Sequence, residues 1–261
     1  MTRQNYYKKR TVRQRKEVNQ GFILELVRRE RAVQPFLGAR KLLCLLKDEF
    51  ESAGVSIGRD RFFRLLERED MLIRRRSRKP RTTDSRHSFR VYGNLLADTV
   101  LTAANQAFVS DITYIRTDEG FMYLALVMDA YSRAIVGYDC SDSLESEGAL
   151  RALSKALRKL PPDSKAIHHS DRGCQYCCGA YIKKLERKDI RISMTEENHC
   201  YENSRAERLN GILKDEYGLG DNFLSKADAL SAVSEAVKLY NYRRPHQSIG
   251  YRFPMEFHRA A

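Results

Sequence analysis

The sequence contains no tryptophan and no apolar run near the roughly 20 residues that a membrane-spanning helix needs. A spanning helix is therefore excluded. The basic opening, MTRQNYYKKRTVRQRKEVNQ, is not followed by the apolar core of a secretory signal, which makes the cytosol the expected compartment. There the six cysteines (Cys44, Cys140, Cys174, Cys177, Cys178 and Cys200) are expected as reduced thiols. No internal repeat is visible, and residues 74–88, RRRSRKPRTTDSRHS, hold no apolar side chain. Bulk is nonetheless present. Apolar residues make up 42% of 261 positions, with 14 Tyr and 11 Phe, enough for one large domain and a smaller one.

Acid is scarce in the first third. Residues 1–90 carry 25 Lys and Arg against 11 Asp and Glu, whereas residues 91–261 hold 22 and 23. Positive charge confined to one third is the footprint of a nucleic-acid-binding arm on a near-neutral body; a solubilising helical bundle would mix both signs. VRQRKEVNQGFILELVRRERAV spaces Phe22, Ile23, Leu26 and Val27 as on an amphipathic helix. LGARKLLCLLKDEFESAG is predicted as one further helix, with Leu42, Leu45, Leu46 and Phe50 on one side and Gly54 as its stop. After VSIG, the segment RDRFFRLLEREDML is apolar at Phe62, Phe63, Leu65 and Leu66. Two short helices joined by a Gly-containing turn fit a helix-turn-helix. The second would bring Arg59, Arg61, Arg64 and Arg68 to a DNA groove. Arg74, Arg75 and Arg76 open the stretch without apolar residues, which is expected to be an extended linker tracking phosphates.

The body changes period. QAFVSDITYIRT is β-branched and aromatic, and GFMYLALVMDAYSRAIVGYDC reads as two strands around the turn DAYSR. SLESEGALRALSKALRKL is predicted helical, capped by Ser143 and stopped by Pro161 and Pro162. KAIHHS is a short strand, CQYCCGAYIKKLERK a helix, IRISM a strand and NSRAERLNGILKDEYGL a helix. Three strands, then helix, strand, helix, strand and helix describe a mixed α/β sheet flanked by helices. His168 and His169 are expected to end their strand, one inward and one outward, with His169 near the edge of any site there. CxxC with His168, His169, His199 and Cys200 nearby offers zinc-ligand types. However, Cys174 and Cys177 share one helix and would need a returning pair at 199–200, so zinc is the weaker reading.

The acids are more informative. Asp111 lies between apolar neighbours in the first strand, where a carboxylate is costly unless something uses it. Asp171 follows the fourth strand at its carboxyl end, where open α/β sheets bind ligands. If those strands are neighbours, the carboxylates meet, and a divalent cation relieves their repulsion. The last helix offers Glu202, Glu207, Asp215 and Glu216 as a third acid. Glu207 is separated from Asp171 by 35 residues and shares a helix face with Asn203, Asn210 and Lys214. That face is expected to meet a phosphate backbone, leaving Leu209, Ile212 and Leu213 for the sheet.

The segments SDITYI, HSDRGCQY and CYENSRAERLNGILKDE resemble the catalytic segments of DDE transposases and retroviral-type integrases, and the 35-residue spacing is that family's signature. YNYRRPHQSIGYRFPMEF and GARKLLCLLKDEF…VSIGRDRFFRLLERE are similar to the C-terminal and N-terminal segments of the second-reading-frame transposases of the IS-three group. Phe108 stands where that group usually carries Trp, and the Cys177–Cys178 pair is a departure. The resemblance implies an RNase H-like core preceded by a small all-α helix-turn-helix domain. The expected divisions are a DNA-binding domain over 1–73, a linker over 74–103, the integrase core over 104–218 and a helical extension over 219–261. It implies Mg²⁺-dependent 3′-end cleavage and strand transfer of an insertion sequence. Asp111, Asp171 and Glu207 would be catalytic ligands of two Mg²⁺ ions, Asp111 bridging both, with Mn²⁺ able to substitute. Lys214 would meet a phosphate near the scissile bond, and NYRRPHQS would contact DNA or a partner. The implied partners are double-stranded DNA (terminal inverted repeats and target), further copies of the chain on that DNA, and an upstream-frame protein or fusion, in the bacterial cytoplasm on the nucleoid. Two alternatives are a catalytically inactive, integrase-like DNA-binding regulator and an RNase H-like nuclease. The complete acid set argues against the first, and the basic N-terminal third against the second.

Overall fold

A computed structural model of the chain describes residues 3–73, 90–97, 99–158, 160, 164–196 and 203–261. Contacts divide it into two compact units, Met1–Ser77 and Arg78–Ala261. The first holds α1 (Arg3–Val33), α2 (Ala39–Leu45), α3 (Lys47–Ser52) and α4 (Arg59–Arg68). Their buried residues, among them Ile23, Val27, Leu42, Leu46, Phe50, Phe62 and Leu66, form one cluster. The single helix expected over 37–54 is broken at Leu46, which leaves helical geometry at φ −92° and ψ 4° while staying buried. Gly54 ends α3 at φ +65°, and the Val55 N–H donates to the Phe50 carbonyl at 2.8 Å. This left-handed cap, with Val55 packed back on the cluster, sets the turn into α4.

The second unit is built on a sheet of order β3-β2-β1-β4-β5. Its strands are β1 (Ala107–Thr117), β2 (Gly120–Asp129), β3 (Ile135–Ser141), β4 (Ile167–Ser170) and β5 (Arg191–Met194). β1–β2 and β2–β3 are antiparallel, while β1–β4 and β4–β5 are parallel. A two-residue β6 (Asn222–Phe223) pairs with the far end of β1. One face is covered by α5 (Ser146–Leu157) and α7 (Gly179–Glu186) through Ala149, Ala152, Leu153, Tyr181 and Leu185. The other is covered by α8 (Ser204–Glu216) and α9 (Lys226–Tyr242) through Leu209, Leu213, Val233, Ala236 and Tyr240. A 3₁₀ turn (Gln247–Ile249) and α10 (Pro254–Ala260) follow. The extension expected from residue 219 onward is thus built into the same core as α8, because α9 needs the sheet to bury its apolar stripe.

Local differences from expectation have identifiable causes. Ser143 lies two residues before the N-cap of α5; its hydroxyl accepts from the Glu145 N–H at 3.1 Å, and Glu145 occupies the cap. The helix expected over 174–188 is two, α6 (Cys174–Cys177) and α7, separated by Cys178 at ψ 144°. His168 and His169 are both fully buried, because both faces of β4 are covered. His168 Nε2 lies 2.8 Å from Ser110 Oγ and 2.9 Å from Tyr181 Oη, and His169 Nδ1 lies 2.8 Å from Ser193 Oγ. Burial, then the neighbouring His169, pushes the His168 imidazole down to about 3. Pro161 and Pro162 lie outside the described residues, as do the 74–88 linker, His199, Cys200 and Glu202. Among the described residues, no helix is long and apolar enough to cross a membrane.

Two stability measurements follow from this packing. Any Cβ at Gly137 on β3 would collide with the Ala152 carbonyl and the Ala156 N–H of α5. Gly137→Ala is therefore expected to cost about 3 kcal/mol in urea unfolding, an overpacking penalty set by backbone that cannot move aside. For His168, the unfolded chain takes up a proton below about pH 6.5 and the folded chain does not until about 3. Stability should decline as pH falls through that window, by up to ~1.4 kcal/mol per pH unit. Unfolding curves of His168→Asn should show a shallower slope between about pH 6.5 and about pH 5; an equal slope refutes the assignment.

Candidate active site

The site begins with a register. β1 and β4 pair through Ala107–Ile167, Phe108–His168 and Val109–His169. Continuing that offset by two residues sets Asp111 level with Asp171, on strands about 4.8 Å apart. Asp111 is buried, and its carboxylate is held at both oxygens: Oδ1 accepts from the Ile112 N–H at 2.9 Å and Oδ2 from Asn210 Nδ2 at 2.7 Å. Asp171 is half-buried just past the end of β4, and its Oδ1 accepts from the Gly173 N–H at 3.0 Å. A Cβ at Gly173 would stand 3.0 Å from that same oxygen, so glycine permits the close turn.

Glu207 comes from α8, half-buried in its first turn. Asn203 and Asn210 flank it on one helix face at i−4 and i+3. Asn203 Nδ2 donates to the Ser110 carbonyl at 3.1 Å, and Asn210 donates to Asp111. The two amides therefore pin α8 to β1 on either side of Glu207. This corrects the expectation that they face DNA: Asn203 is 5% and Asn210 2% exposed, and the NH2 group of each donates to β1. Of the alternative third acids, Glu216 is taken by Arg244 in a bidentate pair at 2.8 and 2.9 Å, and Asp215 is exposed. Arg244 itself is 2% exposed, so this part of NYRRPHQS locks the end of α8 instead of presenting a cation to a ligand. Sequence periodicity signalled the shared face of α8 but not what it meets.

Among the described residues, no three His, Cys, Asp or Glu side chains are gathered closely enough to hold a metal ion as the chain stands. The surroundings nonetheless fit a hydrated divalent cation. Asn203 Oδ1, Asn210 Oδ1, Ser170 Oγ and the Tyr176 hydroxyl are buried without a hydrogen-bond partner among the described residues. Buried polar atoms are rarely left so. The Tyr176 phenol is pushed well up by burial, then by Tyr181, Asp111 and Asp171, which puts it within electrostatic reach of both aspartates. All these atoms are hard oxygen donors of the kind Mg²⁺ takes directly or through water. The nearby thiols point elsewhere: Cys177 Sγ is buried 3.7 Å from Met194 Sδ, and Cys174 is exposed.

The basic residues divide. Lys214, two turns along α8 from Glu207, lies with its ammonium 4.3 Å from the Tyr114 ring centroid. In the N-terminal unit, Arg59, Arg61 and Arg64 line an open cleft of about 610 Å³ with Gly58 and Asp60. Arg59 donates to Asp60 Oδ1 at 2.8 Å, and Arg68 is engaged by Glu69 and by Gln20 at 3.2 Å. Arg74, Arg75 and Arg76 lie outside the described residues.

Comparison with known proteins places the chain in a family. Two integrase core domain families match residues 102–200 and 188–254. The chain is 38% identical over 81% of its length to an insertion element IS600 uncharacterized 31 kDa protein of Shigella sonnei, covering 79% of that protein. It is 37% identical over 66% of its length to the transposase InsF for insertion sequence IS3A of Escherichia coli, and spans 60% of that relative. Among solved structures, a simian T-cell lymphotropic virus intasome in complex with the PP2A regulatory subunit B56 gamma aligns at 17% identity and a TM-score of 0.50, over 85% of this chain and 70% of that one. That likeness shows the fold alone, an RNase H-like integrase core. With the family matches covering the sheet that carries Asp111 and Asp171, the helix that carries Glu207 and all of α9, the chain belongs to the DDE transposases of the IS3 group.

Proposed function

We propose that this transposase cleaves DNA at the 3′ ends of its insertion sequence and joins those ends to a second phosphodiester, in one site built from Asp111, Asp171 and Glu207. The observation that supports this most directly is the shared level of Asp111 and Asp171, with α8 pinned across them by Asn203 and Asn210. The three carboxylates would hold Mg²⁺, or Mn²⁺ in its place. When bound, two such ions neutralise charge on the attacking and leaving oxygens of an in-line displacement. The chain's own contribution is preorganisation. Asn210 and the Ile112 N–H keep the Asp111 carboxylate from turning, and the Gly173 N–H does the same for Asp171. Tyr176, within electrostatic reach of Asp111 and Asp171, brings a buried hydroxyl that would orient water there.

Lys214 extends the site along the DNA and would meet a backbone phosphate. The arginines of α4, which are exposed, and those of residues 74–76 would bind element ends, a duty suited to the excess positive charge of this part of the sequence. Cutting and joining two ends together calls for at least two copies of the chain on DNA, in the bacterial cytoplasm where the nucleoid lies. An upstream-frame fusion would add further end contacts.

End duplexes taken from the inverted repeats flanking the gene supply the substrate. Asp171→Asn is expected to lower Mg²⁺-dependent cleavage and strand transfer by at least ~10³-fold while retaining end binding; a variant that still joins ends would remove the assignment. Lys214→Ala should weaken end binding at physiological salt by about fivefold and lower the salt slope by about one charge. Binding of unchanged affinity and slope would show that Lys214 serves only Tyr114.

A further inference from the structure

Beyond the acids, β1 and β2 leave an aromatic face uncovered. Tyr114 is 50% and Phe121 52% exposed, and their rings meet edge to face at 5.7 Å and 85°. Tyr123 lies cross-strand from Tyr114, and Arg116 lies cross-strand from Phe121, so all four share one face of the hairpin. The Lys214 ammonium stands over the Tyr114 ring. The two acids of the adjoining turn face elsewhere: Asp118 accepts from Asn222 Nδ2 at 2.6 Å, and Glu119 accepts from the Lys226 N–H at 2.8 Å. The Tyr114 ring is therefore paired with a cation, and Phe121 has Arg116 as its cross-strand neighbour, with no carboxylate of the turn against either.

Position ties this ledge to the chemistry. Tyr114 is three residues along β1 from Asp111, about 10 Å at the rise of a strand, and this odd separation turns its side chain to the face opposite Asp111; the Lys214 ammonium over its ring ties it to α8. Lys214 is seven residues along α8 from Glu207, about 10 Å at the rise of a helix. A strand and a helix thus carry an aromatic ring and a cation equally far from the acids, to a place where they touch. That distance is about three nucleotides of a stacked DNA strand, and fewer of a stretched one. Aromatic faces beside cations are what a single-stranded stretch of nucleic acid needs: rings for bases and charge for phosphates. We propose that Tyr114 and Phe121 form a stacking platform for an unpaired base of the DNA strand held in the site, with Lys214 and Arg116 taking the flanking phosphates. The ledge would hold the end of the duplex open. This rests on the DNA-processing reading given above.

The test uses the full chain, a chelator in place of Mg²⁺, and two DNA duplexes identical except that one has mispaired terminal bases containing a fluorescent adenine analogue. The intact protein should bind the frayed duplex more tightly and quench the analogue. Phe121→Ala and Tyr114→Leu should each lose about tenfold in affinity for the frayed duplex, together with the quench, and leave affinity for the fully paired duplex unchanged. Tyr114→Phe should behave as the parent. Should Phe121→Ala melt early, Tyr114→Leu, which keeps the apolar bulk, carries the test. Equal losses on both duplexes, or an undiminished quench, overturn the proposal. So does self-association that disappears in Phe121→Ala while the quench persists, which would assign the ledge to a second copy of the chain. Because binding is read without divalent cation, a failure of Asp171→Asn to abolish cleavage would sink the active-site reading without touching the quench. The converse also holds.

Discussion

Three residue pairs between β1 and β4 carry the architecture. They join segments nearly sixty residues apart in sequence, in parallel, and parallel pairing needs a long crossover that must itself be packed. α5 provides that crossover, lying close enough on β3 that only a glycine fits beneath it. β4 is four residues long and covered on both faces, so its two histidines must find partners inside the protein. Ser110 and Tyr181 serve His168, and Ser193 serves His169. One of those partners, Ser110, is the residue before Asp111. The hydrogen bonds that satisfy β4 thus reach β1 one residue before Asp111.

The same economy applies to α8. Its apolar stripe of Ala206, Leu209, Ile212 and Leu213 fixes it on the sheet, and its polar face is fixed separately by Asn203 and Asn210. At its far end, the buried Arg244–Glu216 pair joins it to the chain after α9. A buried pair of this kind adds little net stability but is costly to break, and it restricts where the helix can end. Apolar packing determines which face is buried, and hydrogen bonds determine its height over β1.

Much of this was legible in the sequence. The β-branched and aromatic run over residues 106–117 and the two strands read around DAYSR identified β1, β2 and β3, and the apolar flanks of Asp111 marked it as a buried carboxylate. The rest was hidden for physical reasons. The helix break at Leu46 has no Gly or Pro to mark it, and the one at Cys178 has only Gly179 beside it, while Leu46 and Cys178 themselves leave helical geometry. Asn203 and Asn210 were found on the right face and assigned to the wrong partner, because an amide beside a carboxylate serves a phosphate or a strand equally well until the neighbour is known. Arg244 looked like a surface cation for the same reason. A sequence gives a charge, whereas its pairing depends on Glu216, which lies a helix away.

The fastening of α8 to β1 has one further consequence, for how the gene can change. Asn203, Glu207 and Asn210 work only while they share a rotational phase, since each residue turns a helix by about 100°. Inserting or deleting a single residue between Asn203 and Asn210 would swing one amide out of reach of β1 and Glu207 away from the aspartates. Length changes are therefore forbidden within the first two turns of α8, whatever total spacing they leave between Asp171 and Glu207.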